Sequence, residues 1–214
     1  MLNLDKAVTS ILAGAGIIGL ALAFAFQDIA SNFISGIFIS FRKPLKVGDT
    51  VRIKSYMGKV QEVNLRDTII MAYNGETVII PNKDVFHNPI ENFSTLGKRR
   101  LDLSIGISYS EDLEKVKQIT LEAVKDIENL SSSDETTLFF NEFGDSSINF
   151  SLRIWVNSTE QHVYKKVGSD VIMKIKNAYD KNAIVIPFPI RTLDFGIKGG
   201  KSLNEMEVKI KKNK

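Results

Sequence analysis

Few residues in this chain are arranged to do covalent chemistry. Gly196-Ile197-Lys198-Gly199-Gly200-Lys201-Ser202 looks like a phosphate-cradling loop, but that motif needs glycine where Phe195 stands, and no apolar helix follows to offer its N-terminus. His87 and His162 lie far apart, with no cysteine or acidic cluster at ligand spacing, so neither a metal centre nor a cofactor is expected. Glu111, Asp112 and Glu114 open a helical pattern, where the helix dipole favours negative charge. What the residues are arranged to do is exclude water. Ile17, Leu20 and Phe24 fall at i, i+3 and i+7, so three bulky apolar side chains share one stripe of a helix. A ring of such helices would point that stripe inward.

The element that must carry this stripe is an apolar run from Ala7 to Phe41 with a single charge, Asp28. Its charge-free part, Ala7 to Gln27, is about 20 residues long, enough at about 1.5 Å per residue to span a hydrocarbon layer of roughly 30 Å. Ala15, Gly19 and Ala23 are spaced i, i+4, i+8, and Ala21 and Ala25 add a second pair, so neighbouring helices could pack there almost backbone to backbone. Two plainer readings compete. A cleaved signal peptide would explain Lys6 ahead of an apolar core and the small-x-small look of Ala21-Leu22-Ala23 or Ala23-Phe24-Ala25. Against it, Asp5 sits beside Lys6 and the apolar pattern continues through Ile29, Phe33, Ile34, Ile37, Phe38 and Ile39. A simple membrane anchor would not need so much glycine and alanine.

Asp28 lies about 33 Å along a helix begun near Lys6, at the far edge of the bilayer. At the bilayer centre it would cost roughly 2.5–3.5 kcal/mol; at the interface it can cap a helix. A break is therefore expected at Gln27-Asp28, with a second helical segment from Ile29 to about Phe41. Gly36 is a further soft point, worth about 1 kcal/mol against helix relative to alanine. Arg42, Lys43, Lys46, Arg52, Lys54 and Lys59 follow the span while Lys6 alone precedes it, so the bulk of the chain is expected in the cytoplasm. The absence of cysteine suits that compartment. The net charge of +3 comes from interleaved bases and acids, a weak field, and no nucleic-acid partner is expected. Lys98-Arg99-Arg100 reads as a solvated strand edge.

The remainder divides in two. Val47-Gly48-Asp49, Met57-Gly58 and Tyr73-Asn74-Gly75-Glu76 are turn signals separating short runs at Thr50 to Lys54, Lys59 to Asn64, Thr68 to Ala72 and Thr77 to Pro81, which predict small antiparallel strands. A compact Sm-like β-barrel fits this pattern. Further on, Leu101 to Ser108 alternates as a strand and Glu111 to Glu128 has helical spacing. Leu138 to Phe143 pairs with Ile148 to Val156 across Gly144-Asp145, a helix runs from about Val163 to Asn182, and a strand near Leu193 closes βαββαβ, the ferredoxin-like order. In the tail, Met206, Val208 and Ile210 alternate with Glu205, Glu207 and Lys209. That half-buried strand pattern is stable only if several copies close a barrel, the alternative being a frayed basic terminus.

The order Gly19-Leu20-Ala21-Leu22-Ala23-Phe24-Ala25-Phe26-Gln27-Asp28, Ser31-Asn32, Gly36 and Pro44-Leu45-x-x-Gly48-Asp49-x-Val51 resembles the small-conductance mechanosensitive channel (MscS) family. The likeness continues through Gly58-Lys59-Val60, Leu65-Arg66-Asp67-Thr68, Ile80-Pro81-Asn82, Asn92-Phe93-Ser94, Ser147-Ile148-Asn149-Phe150 and Ile186-Pro187-Phe188-Pro189. The resemblance implies a homo-oligomeric, tension-gated channel of the inner (plasma) membrane, a ring of seven in lipid that passes ions and small osmolytes. It places the pore constriction at Leu20 and Phe24, with Ile17 on the same pore-lining face. It also places interhelix packing at Gly19, Ala21, Ala23 and Ala25, and a kink at Gln27-Asp28, where some members carry glycine. Members carry further transmembrane helices before the pore helix; with Met1 only a few residues ahead of it, those sensor helices are expected to be missing here. The expected organisation is a membrane α helix plus an α+β cytoplasmic region: pore helix 1–43, Sm-like domain 44–94, ferredoxin-like domain 95–196 and tail 197–214. The rival function is a membrane-anchored scaffold or RNA-binding module that works through the Sm-like domain.

Overall fold

The computed structural model describes residues 2–132 and 134–191. The expected closing strand near Leu193, the tail strand and the Gly196–Ser202 loop lie outside the described residues.

The apolar run folds as one helix, α1 (Leu2–Arg42), of 41 residues. At about 1.5 Å per residue it is roughly 60 Å long, twice the hydrocarbon thickness. The expected break at Gln27-Asp28 does not occur. Asp28 caps nothing: its carboxylate is satisfied from outside the helix by Lys83, at 2.8 Å. Its carbonyl also accepts the Asn32 side-chain amide at 2.9 Å, so no group is left asking for a helix end. Gly36 is likewise helical. The helix stops instead at Lys43, which takes φ +49 and donates its N–H to the Ile39 carbonyl at 2.8 Å. Pro44, which cannot continue a helix, follows directly.

Short strands follow: β1 (Thr50–Ile53), β2 (Tyr56–Val63), β3 (Asp67–Ala72), β4 (Thr77–Pro81), then α2 (Asn82–His87) and β5 (Ile90–Asn92). They form one antiparallel sheet in the order β4-β3-β2-β1-β5. The β3–β4 hairpin turns as the Asn74-Gly75 signal predicts, but only Gly75 of that pair takes positive φ, at +92. Gly75 donates back to the Ala72 carbonyl and Ala72 donates to Glu76, closing a three-residue loop. Val51, Ile53, Val60, Ile70 and Ile80 form the core of the sheet, and Ile39 of α1, Leu45 and Val85 of α2 complete it. No pairing of β4 with β5 closes a barrel among the described residues.

The rest comprises β6 (Arg99–Ile107), α3 (Leu113–Val124), β7 (Thr137–Phe143), β8 (Ile148–Val156) and α4 (Gln161–Lys181). The sheet order β6-β8-β7 places non-consecutive strands side by side, as a βαββ unit requires. Asp112 caps α3, its carboxylate accepting from the N–H groups of Glu114 at 2.9 Å and Lys115 at 3.2 Å. On α4, Val167, Val171, Ile175 and Tyr179 are four apart and all buried, the apolar stripe of an amphipathic helix.

By contact density the chain forms two compact units. One takes the chain up to Leu101 with Ile127–Glu135 and Ile154–Asp170; the other takes Asp102–Asp126, Thr136–Arg153 and the chain from Val171 on. In the first unit Arg99 is not a solvated edge residue. Its guanidinium lies 4.0 Å from the Tyr164 ring centroid and 4.7 Å from that of Phe93, and it donates to the Gln161 side chain at 2.6 Å. Burial pushes its pKa down. Stacking and cation–π attraction hold it there. In the second unit the buried Tyr179 hydroxyl meets Thr120 Oγ1 at 2.6 Å, and burial raises the Tyr179 pKa. The Val185 carbonyl accepts the Ser108 N–H at 3.0 Å, which brings the chain after α4 back to the end of β6.

Candidate functional site

The site begins with the difference between the two ends of α1. From Ala15 to Ala30 every residue is exposed in the protomer. Ile17 is 69%, Leu20 63% and Phe24 74% exposed. Around Gly14, Gly16 and Gly19 there is nothing within 4 Å of where a Cβ would stand. At about 100° per residue, Ile17, Leu20 and Phe24 occupy a stripe roughly 60° wide. Ala21 and Ala25 lie roughly 90° to one side of it, and Ala15, Gly19 and Ala23 roughly 130° to the other. The bulky stripe is thus flanked on both sides by rows of small residues.

The lower third is rooted. Ser35, Gly36 and Ile39 are buried, Ile39 only 2% exposed. A Cβ at Gly36 would collide with the backbone carbonyl of Leu65, in the β2–β3 turn, and would stand 2.6 Å from the Asn82 side-chain nitrogen. Gly36 therefore marks the closest approach of α1 to the β domain. Asn82, fully buried, organises the other side of this contact. Its side chain accepts from the Thr68 hydroxyl at 2.9 Å and donates to the Asn64 carbonyl at 2.9 Å, and its N–H bonds the Arg66 carbonyl at 2.9 Å. The next residue, Lys83, donates its N–H to Asn32 Oδ1 at 2.9 Å. Lower still, the Phe38 and Phe86 rings stand 5.7 Å apart.

The structure places Ile17, Leu20 and Phe24 together on one bare face. It sets Gly36 and Asp28 at contacts between α1 and the β domain, and it adds Asn32, Asn82 and Lys83, to which spacing alone gave no role. For Asn32 the signal in the sequence was the polar pair Ser31-Asn32, close after Gln27-Asp28 within the apolar run. Among the described residues no cluster of three metal-ligating side chains occurs.

A bare apolar helix, long enough to cross a membrane, is rooted on an antiparallel β domain, a build that fits a membrane protein of α+β class. Three family models match in succession. They are the transmembrane helices 2/3 of mechanosensitive ion channels over residues 1–27, the mechanosensitive ion channel β-domain over 28–95, and the C-terminal region of the mechanosensitive ion channel MscS over 101–186. The chain is 39% identical over 194 residues to an uncharacterized MscS family protein of Archaeoglobus fulgidus, covering 91% of this chain and 67% of that one. It is 35% identical over 188 residues to the small-conductance mechanosensitive channel MscMJ of Methanocaldococcus jannaschii, covering 87% of this chain and 53% of that one. The crystal structure of Helicobacter pylori MscS in its closed state superposes with a TM-score of 0.80 at 33% identity, over 89% of this chain and 74% of that one. The chain belongs to the MscS family, a family of ion channels. It spans between about half and two thirds of the length of the two curated relatives named here.

Proposed function

We propose that this chain supplies the pore helix and the intracellular collar of a tension-gated channel that releases ions and small osmolytes. Copies assemble as a ring, seven by the family resemblance, in the plasma membrane. The observation that carries this reading is the bare stripe of Ile17, Leu20 and Phe24 between two small-residue rows. In a ring, turning the stripe to the axis sets Ala21 and Ala25 of one copy towards Ala15, Gly19 and Ala23 of the next, which brings helices into close backbone contact. The inward collars of Leu20 and Phe24 then form a neck too apolar and narrow for a water column. Tension favours the wider ring because it occupies more membrane area, and small-residue faces offer little resistance to tilting and sliding. The basic residues after the span, Arg42, Lys43 and Lys46 first among them, support a cytoplasmic side for the β domain.

The test joins assembly to conductance. Protein purified in detergent should run as a monodisperse ring by native mass spectrometry, and patches from proteoliposomes should show stepwise currents under suction. A solitary chain, or patches silent up to the point of rupture, overturns the reading.

A further inference from the structure

Asp28 is the one charge between Ala7 and Phe41, and neither the membrane span nor a helix cap accounts for it. Its carboxylate holds the Lys83 ammonium at 2.8 Å, 55 residues further along the chain. One turn below, Asn32 Oδ1 accepts the Lys83 N–H at 2.9 Å, while Asn32 Nδ2 donates to the carbonyl of Asp28 at 2.9 Å. Three residues thereby close a ring of contacts between α1 and the first turn of α2. The hydrogen bond and then the charge of Asp28 raise the Lys83 pKa above its ordinary value. The position is singular: above Asp28 the helix is bare, and from Ser35 downward one face of it is packed, at Ser35, Gly36 and Ile39.

We infer that the Asp28–Lys83 ion pair is a latch that fixes the pore helix to α2 where it leaves the β domain, and that it sets how readily the stripe above can tilt. This inference rests on the channel reading above. An ion pair suits the task better than packing does. Ile39 and Gly36 are held by a close-packed core that yields only by rearranging, whereas both partners of the pair are substantially exposed. Such a pair is a weak, reversible tie, worth about two- to five-fold in an equilibrium, and it is weakened further by salt. Asp28 and Lys83 act as positioning residues, biasing the helix that forms the neck.

The experiment compares wild type, Asp28→Asn, Lys83→Gln and the charge reversal Asp28→Lys with Lys83→Asp in proteoliposome patches. Each single variant is expected to shift the open-to-closed ratio at fixed tension by about two- to five-fold, both in the same direction, and the reversal to bring it back towards wild type. Singles indistinguishable from wild type, or a reversal that behaves as the sum of two losses, overturn the latch. Hydrogen exchange at the amides of residues 24–32 in nanodiscs gives a readout that needs no current. Exchange should quicken in each single variant and slow again in the reversal, and unchanged exchange overturns the latch. If wild-type patches pass no current at any tension, the channel reading fails and the exchange result decides the latch by itself.

Discussion

The two ends of α1 are built from the same kinds of residue and do opposite things. Gly19 and Gly36 are both glycines in unbroken helix, yet a Cβ at Gly19 meets open space and a Cβ at Gly36 meets the Leu65 carbonyl. Phe24 is exposed, while Ile39 is sealed in the β-domain core. The lesson is that a small residue in a helix reports close approach but not to what. In the lower third the approaching surface belongs to the same chain. Above it, none of the described residues approaches, and the surface that Gly19, Ala21, Ala23 and Ala25 would pack against lies outside them.

This contrast can be broken most forcefully at Gly36. Gly36→Val should cost about 3 kcal/mol, because the obstructing atoms are backbone and cannot turn aside as a side chain would. Thermal unfolding followed through Trp155, the only tryptophan, should show it as a lowered midpoint. A midpoint equal to wild type would mean that α1 is not rooted here. Asn82→Ala should follow at about 1–3 kcal/mol, since it orphans the Thr68 hydroxyl and the Asn64 carbonyl in a buried site. The same measurement checks it.

The upper half should respond in function and leave the protomer intact. Phe24→Ser is expected to leave the unfolding midpoint within error while raising the resting leak about tenfold, corresponding to roughly 1.5 kcal/mol of lost apolar preference in the neck. Leak in unstretched patches reads this, and a leak equal to wild type would remove Phe24 from the constriction. The smallest effect on the protomer is expected from Gly19→Val. It meets nothing among the described residues, so its folding should be unchanged while ring assembly or opening tension alters. A variant that assembles and gates as wild type does would leave the small-residue rows without a partner.

Much of the fold was legible because it follows from local rules. The period of Ile148 to Val156, the Asn74-Gly75 turn, the acidic helix start at Glu111, Asp112 and Glu114 and the apolar run from Ala7 to Gln27 each state their structure within a few residues. The errors came where a local rule met a distant partner. Asp28 looked like a helix start because an aspartate in an apolar run must satisfy its carboxylate, and the nearest free donors are those of a new helix end. Lys83 satisfies it instead, and nothing near Asp28 in sequence announces Lys83. Arg99 read as a wet edge because it sits in a run of bases; Phe93 and Tyr164 close over it only once the chain has folded back.

By itself the sequence determined that an apolar helical run long enough to span a membrane precedes an α+β region, and that Ile17, Leu20 and Phe24 share a face, since both follow from periodicities of a few residues; that the run continues unbroken through Asp28 was decided by the folded chain. Only the tertiary structure decided where that helix is held and where it is free. That depends on which backbone carbonyl lies beside Gly36 and which ammonium reaches Asp28. Both are supplied by segments tens of residues away, whose approach is set by the packing of Ile39, Leu45 and Val85 into one core.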